Sequence, residues 1–138
     1  MTWMDYVDSL MAKSGVADVA IVGLVCKSVW AATVNGNFSK ITSQQVGALL
    51  GDLSTLQQCG IQLGDKKYTF VVAEYEQSCG NDWKWLTISA KGDTKVSAVV
   101  HKTVTALLFI EAANIELKGP QLLECLQCTV NHLVENKV

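Results

Sequence analysis

Arginine is absent from this 138-residue chain, and all eleven of its cations are lysine. Arginine's planar fork is the side chain that grips phosphate and carboxylate with paired hydrogen bonds. A nucleic-acid-binding domain normally shows a basic balance with clustered arginines, whereas the net charge here is −2. The composition therefore argues against nucleic acid, and against anionic lipid headgroups. Proline occurs once, charged residues make up 17% and apolar residues 49%. That balance excludes disorder, collagen and low-complexity linkers. Long hydrophobic runs are also missing. The densest, residues 99–110, is interrupted by His101, Lys102, Thr103 and Thr105, short of the ~18 apolar residues a membrane span needs. Asp5 and Asp8 stand where a signal peptide carries lysines, so a cytoplasmic chain is expected.

Catalytic signatures are scarce as well. No G-x-G-x-x-G loop and no nucleophile elbow occurs. The two histidines are His101, among valines on an expected strand, and His132. His101 reads as structural, because half-buried histidines are common. The five cysteines, Cys26, Cys59, Cys79, Cys125 and Cys128, leave one over in any disulfide scheme. Cys125 and Cys128 form a C-x-x-C inside a helical pattern, not at a helix start, where the dipole would lower a thiol pKa. All five are expected to be reduced thiols that fill structure. Neither an enzyme nor a metal or cofactor site is expected.

What is present is a regular alternation of elements. The spacing of Trp3, Tyr6, Val7, Leu10 and Met11 predicts a helix over 2–13, with Thr2 capping and Gly15 stopping it. Strands are expected at 19–25 and 28–34, and a helix at 42–50 opened by the capping box Thr42-x-x-Gln45. Five further strands follow, at 60–63, 67–74, 83–89, 95–100 and 105–111. In the third of these, Trp83, Trp85, Thr87 and Ser89 share one face, and Lys84, Leu86 and Ile88 the other. Gly119-Pro120 opens a last helix with the stripe Leu122, Leu123, Leu126, Val130 and Leu133. Short links make the sheet antiparallel. The expectation is one α+β domain, residues 1–138, with a central antiparallel sheet and the terminal helices packed on one face.

Four tryptophans stand out. Trp3 lies near a chain end and Trp30 follows the polar pair Lys27-Ser28, both surface-prone places. Around them, Trp3-x-x-Tyr6-Val7-Asp8-x-Leu10-Met11, Ala20-Ile21-Val22-Gly23, Ser28-Val29-Trp30-Ala31-Ala32 and Phe38-x-x-Ile41-Thr42 with Val46-Gly47 resemble the profilin family. Leu63-Gly64-x-Lys66-Lys67 and His132-Leu133 extend the resemblance to the chain's end.

The resemblance implies a cytoskeletal regulator that binds monomeric actin and proline-rich segments. It places the proline groove at Trp3, Tyr6, Trp30, His132 and Leu133, with Val138 where many animal profilins end in an aromatic. Flat aromatics suit a polyproline II helix, which is preorganised and apolar. It places the actin face at Lys67, Val72, Leu86, Ile88 and Glu124. Of these only Lys67 keeps the basic character usual in animal profilins, so weak actin affinity is expected, and phosphoinositide binding is doubtful on the same ground. Three rivals stand beside this reading. One is a proline binder without useful actin affinity. Another is a PAS-like sensor enclosing a pocket against its sheet. The last is a thiol enzyme with a low-pKa cysteine beside a histidine.

Overall fold

The computed structural model describes residues 2–34, 36–51, 53–75, 83–91, 95–103 and 105–136. The turn expected at 78–82, the middle of the turn at 91–93, Cys79 and Val138 lie outside the described residues.

The first helix, α1 (Trp3–Met11), is set by its cap. The Asp5 N–H donates to Thr2 Oγ1 at 3.3 Å, and the Thr2 N–H donates back to Asp5 Oδ2 at 2.8 Å. The hydrogen bond from the Thr2 backbone holds the Asp5 carboxyl below its ordinary range. Strands β1 (Val16–Gly23) and β2 (Val29–Ala32) form a hairpin. A 3₁₀ turn (Asn37–Lys40) leads to α2 (Ser43–Leu49) and α3 (Leu53–Cys59). Then come β3 (Ile61–Leu63), β4 (Lys66–Tyr75), β5 (Trp83–Ala90), β6 (Ser97–Lys102), β7 (Ala106–Ala112) and α4 (Gly119–Glu135). The seven strands make one antiparallel sheet in the order β2-β1-β7-β6-β5-β4-β3.

Both faces of the central strands are covered. Val19, Ile21, Val99, Leu108 and Ile110 face α1 and α4 and are fully buried. The opposite face carries Phe38, Tyr68, Leu86, Ile88 and Phe109, also fully buried. The Phe38 ring lies 5.6 Å from Phe109 and 6.3 Å from Tyr68. The terminal helices share one face, as expected: α1 on β1 and β2, α4 on β6 and β7, touching each other. Gly119 lets α4 start close to the sheet, because a β-carbon there would come within 2.5 Å of Thr87 Cγ2.

A polar knot is buried beneath the 3₁₀ turn. Asp18 Oδ2 accepts the Phe38 N–H at 2.9 Å. Opposite Asp18 in the ladder, Glu111 accepts the Tyr68 hydroxyl at 2.6 Å and Lys66 Nζ at 3.2 Å. Burial raises the Asp18 carboxyl above its ordinary value, and the charge of Glu111 adds to the effect. Burial and the bond to Glu111 likewise raise the Tyr68 phenol.

Two elements depart from expectation. The 3₁₀ turn and α3 carry no apolar stripe long enough to announce a helix. The cysteines also differ from core fillers. Cys26, Cys59, Cys125 and Cys128 are free thiols, and three of the four are exposed, Cys125 alone being half-buried.

Candidate functional site

Four rings from three elements meet on the surface where α1, β2 and α4 converge. Trp3 opens α1 and Tyr6 follows one turn later, so both point to the same side of the helix. Trp30 comes from β2 and His132 from the last turn of α4. The Trp3 ring lies 4.9 Å from Trp30 and 5.9 Å from Tyr6, and Tyr6 lies 5.7 Å from His132. The rings tilt at 41°, 45° and 47° in those pairs, so they form the walls of a groove and not a closed stack. Trp3 and Tyr6 are half-buried, Trp30 is 37% exposed and His132 is exposed. Among the described residues none hydrogen-bonds the Trp3 indole N–H, the Tyr6 hydroxyl or the His132 ring. These are donors left facing solvent beside apolar walls.

Leu133 does not join them. It is 1% exposed and packs inward with Leu126 and Val130, because the helical period turns it away from His132. Its part is to anchor the helix that carries His132.

Cys26 belongs beside this groove, although no motif marks it. Its Sγ accepts the Ser28 hydroxyl at 3.2 Å and the Trp30 indole N–H at 3.3 Å. Bonds from the Ser28 hydroxyl and backbone, then from Trp30, pull its thiol pKa below the ordinary range.

The second expected surface is only partly assembled. Lys67 is exposed. The β4 ladder is bulged between Phe70 and Val72, which turns both Val71 and Val72 outward at 54% and 50% exposure. Leu86 and Ile88 are a correction: both are fully buried on the inner face of β5, beside Val100 and Ala98. The outward positions of that strand are Trp85, Thr87 and Ser89. A register read one residue out of phase exchanges every side chain between faces. Glu124 is exposed on α4. The sheet and α4 instead enclose an open cleft of about 420 Å³ lined by Val71, Val72, Trp85, Thr87, Lys118 and Leu123. Period-2 alternation was the signal that put Trp85 and Thr87 together on that side.

His101 lies 1% exposed behind this surface, stacked on Trp85 with centroids 5.6 Å apart. Its Nδ1 donates to the Lys102 carbonyl at 2.7 Å and its Nε2 has no partner among the described residues; burial lowers its pKa, against the opposing effect of the bond to Lys102. Among the described residues no three metal-ligating side chains cluster, and no helix is long and apolar enough to cross a membrane.

The architecture is that of the small α+β domains that present aromatic side chains between two terminal helices. The chain belongs to the profilin family, whose model matches residues 1–136. Human Profilin-1 is 34% identical over 110 residues, covering 78% of this chain and 79% of that protein. Among solved structures, mouse profilin IIa in complex with a double repeat from the FH1 domain of mDia1 superposes with a TM-score of 0.88 at 26% identity, covering both chains completely. Human profilin II gives 0.86 at 26% identity, over 96% of this chain and 98% of that one.

Proposed function

We propose that this protein binds proline-rich segments in the groove of Trp3, Tyr6, Trp30 and His132, and monomeric actin on the outer face of β4 and β5 beside the start of α4. It acts as a cytoskeletal binding protein of the cytoplasm, not as an enzyme. The observation that carries the reading is the ring cluster with unpaired donors. A polyproline II helix offers flat prolyl rings and fully exposed carbonyls, and tilted aromatics with free N–H and O–H groups match both. The family and the mouse relative solved with a formin-type repeat support the same assignment.

Against a sensor domain stands the packing of the sheet. Its helix-covered positions on β1 and β7 are filled by Val19, Ile21, Leu108 and Ile110, all fully buried.

Actin is the less favoured of the two ligands. Where a basic surface would complement an acidic partner, the outer sheet offers Val71, Val72, Trp85 and Thr87, with Lys84 over the Trp85 ring, Lys118 in the cleft lining and Lys67 exposed earlier on β4. Binding there rests on shape and apolar contact, so it is weak and only mildly salt-dependent. Titration of the protein with a ten-residue polyproline peptide and, separately, with monomeric actin tests both halves. Failure to bind the peptide ends the groove reading. Tight, steeply salt-dependent actin binding contradicts the weak one.

A further inference from the structure

We propose that Cys26 is a positioning residue of the aromatic groove, holding the Trp30 indole by its N–H so that Trp30 serves as a fixed apolar wall and not as a donor. The inference rests on the reading of the groove as a proline-rich peptide site.

Three features of the β1–β2 hairpin converge on this contact. The turn is closed by Gly23 N–H to the Ser28 carbonyl at 2.9 Å and Lys27 N–H to the Gly23 carbonyl at 3.0 Å. Lys27 sits at φ 56°, a left-handed conformation that a residue with a side chain adopts only under constraint. The outcome of that turn is a thiol folded back over the strand it has just left. Gly23 then supplies the floor. A β-carbon at that position would overlap Cys26 Sγ and would come within 2.7 Å of Trp30 Cε2 and Cζ2. The sulfur and the indole therefore share the space that the glycine leaves open.

The Trp30 Nε1 donates to Cys26 Sγ at 3.3 Å, within the reach of a hydrogen bond to sulfur, and the Ser28 hydroxyl steadies the same sulfur at 3.2 Å. Ordering a wall before the ligand arrives removes an entropic cost of binding. The division of labour follows. Trp3, Tyr6 and His132 keep free donors for ligand carbonyls, whereas the donor of Trp30 is already used.

The test compares wild type with Cys26→Ala and Cys26→Ser, using the ten-residue polyproline peptide in calorimetric titrations. The indole N–H resonances of the free proteins are followed by NMR, with Trp30 assigned from Trp30→Phe. A net hydrogen bond contributes about 0.5–1.5 kcal/mol, so Cys26→Ala should bind roughly two- to tenfold more weakly. Its Trp30 indole proton should lose protection from solvent exchange while the melting temperature holds. Cys26→Ser restores an acceptor and should recover part of both losses.

Wild-type affinity in a folded Cys26→Ala protein, or a Trp30 proton that exchanges in wild type as fast as that of Trp3, overturns the role of Cys26 and leaves the groove standing. Wild type that fails to bind the peptide overturns the groove reading and this inference with it. A loss equal in the alanine and serine variants assigns the effect to packing and also overturns it.

Discussion

Replacing Trp3 with alanine separates what the groove needs from what the fold needs. Trp3 is the first residue of α1, and its ring touches both Trp30 and Tyr6. Two aromatic contacts are lost, each worth about 0.5–1.5 kcal/mol beyond simple burial, so the fold loses on the order of 1–3 kcal/mol. A domain with the usual margin of roughly 5–15 kcal/mol survives that loss. The helix also keeps its start, because the cap is made by Thr2 and Asp5. Binding suffers differently. Trp3 forms one wall and buttresses Trp30, the other, so its removal opens the groove from both sides. Truncation of a central aromatic costs about 2 kcal/mol or more, equivalent to roughly 30-fold in affinity. The assay is calorimetric titration of polyproline peptide into Trp3→Ala after circular dichroism has confirmed its helix and sheet content. Folded Trp3→Ala that binds within about twofold of wild type would refute the argument that these rings form the site.

Further outcomes are expected. Val72→Arg, on the half-exposed bulge of β4, should change unfolding free energy by no more than about 0.5 kcal/mol, whereas Leu86→Arg forces a cation into the core and should lose several kcal/mol; near-equal denaturant midpoints would show that the face assignment of β5 is wrong. Asp18 has a carboxyl raised by burial, so its contribution to stability is complete below the unfolded value near about 3.9 and is lost as pH rises through the higher folded value. Asp18→Asn keeps an oxygen for the Phe38 N–H, so its melting temperature relative to wild type should climb as pH rises from about 4 to 7; a constant difference would contradict this. Reductant should leave the melting temperature unchanged, because Cys26, Cys59, Cys125 and Cys128 are free thiols; a fall of many degrees would disagree.

Local chemistry explains what the sequence made readable. Both capping boxes, Thr2 with Asp5 and Thr42 with Gln45, are signalled by residues three apart and fix helix starts whatever the tertiary context. The stripe of α4 and the alternation of β5 are equally local, and the ring cluster follows because α1, β2 and α4 each deliver their aromatics by period. What stayed hidden depends on contacts across the chain. The 3₁₀ turn is held by Asp18, twenty positions earlier, and by Asn37, which binds the β3–β4 turn through the Leu63 carbonyl and the Asp65 N–H. The bulge after Phe70 shifts the phase of β4, and no residue there announces it. The placement of Leu86 and Ile88 on a binding face shows the cost of aligning a strand by position without its pleat. The alternation within β5 already set both beside each other on the side away from Trp85.

Helix α4 ties the two proposed surfaces together and also keeps them apart. Pro120 and Leu123 border the outer-sheet cleft, and His132 borders the aromatic groove. The twelve helical steps from Pro120 to His132 span about 18 Å along the axis, so occupants at the two ends need not overlap. Between them Leu122, Leu126, Val130 and Leu133 fasten the helix to the sheet over its whole length. The absence of arginine then falls unequally on the two ends. Stacking against prolyl rings and donation to carbonyls need flat, apolar, singly polar side chains, and the groove has them without any cation beyond the lysines elsewhere. An acidic macromolecular partner is attracted from a distance by charge, and the outer face offers it valines, a tryptophan with Lys84 over its ring, and the marginal Lys67 and Lys118. The lack of arginine therefore bears on function at one end of α4 and leaves the other untouched.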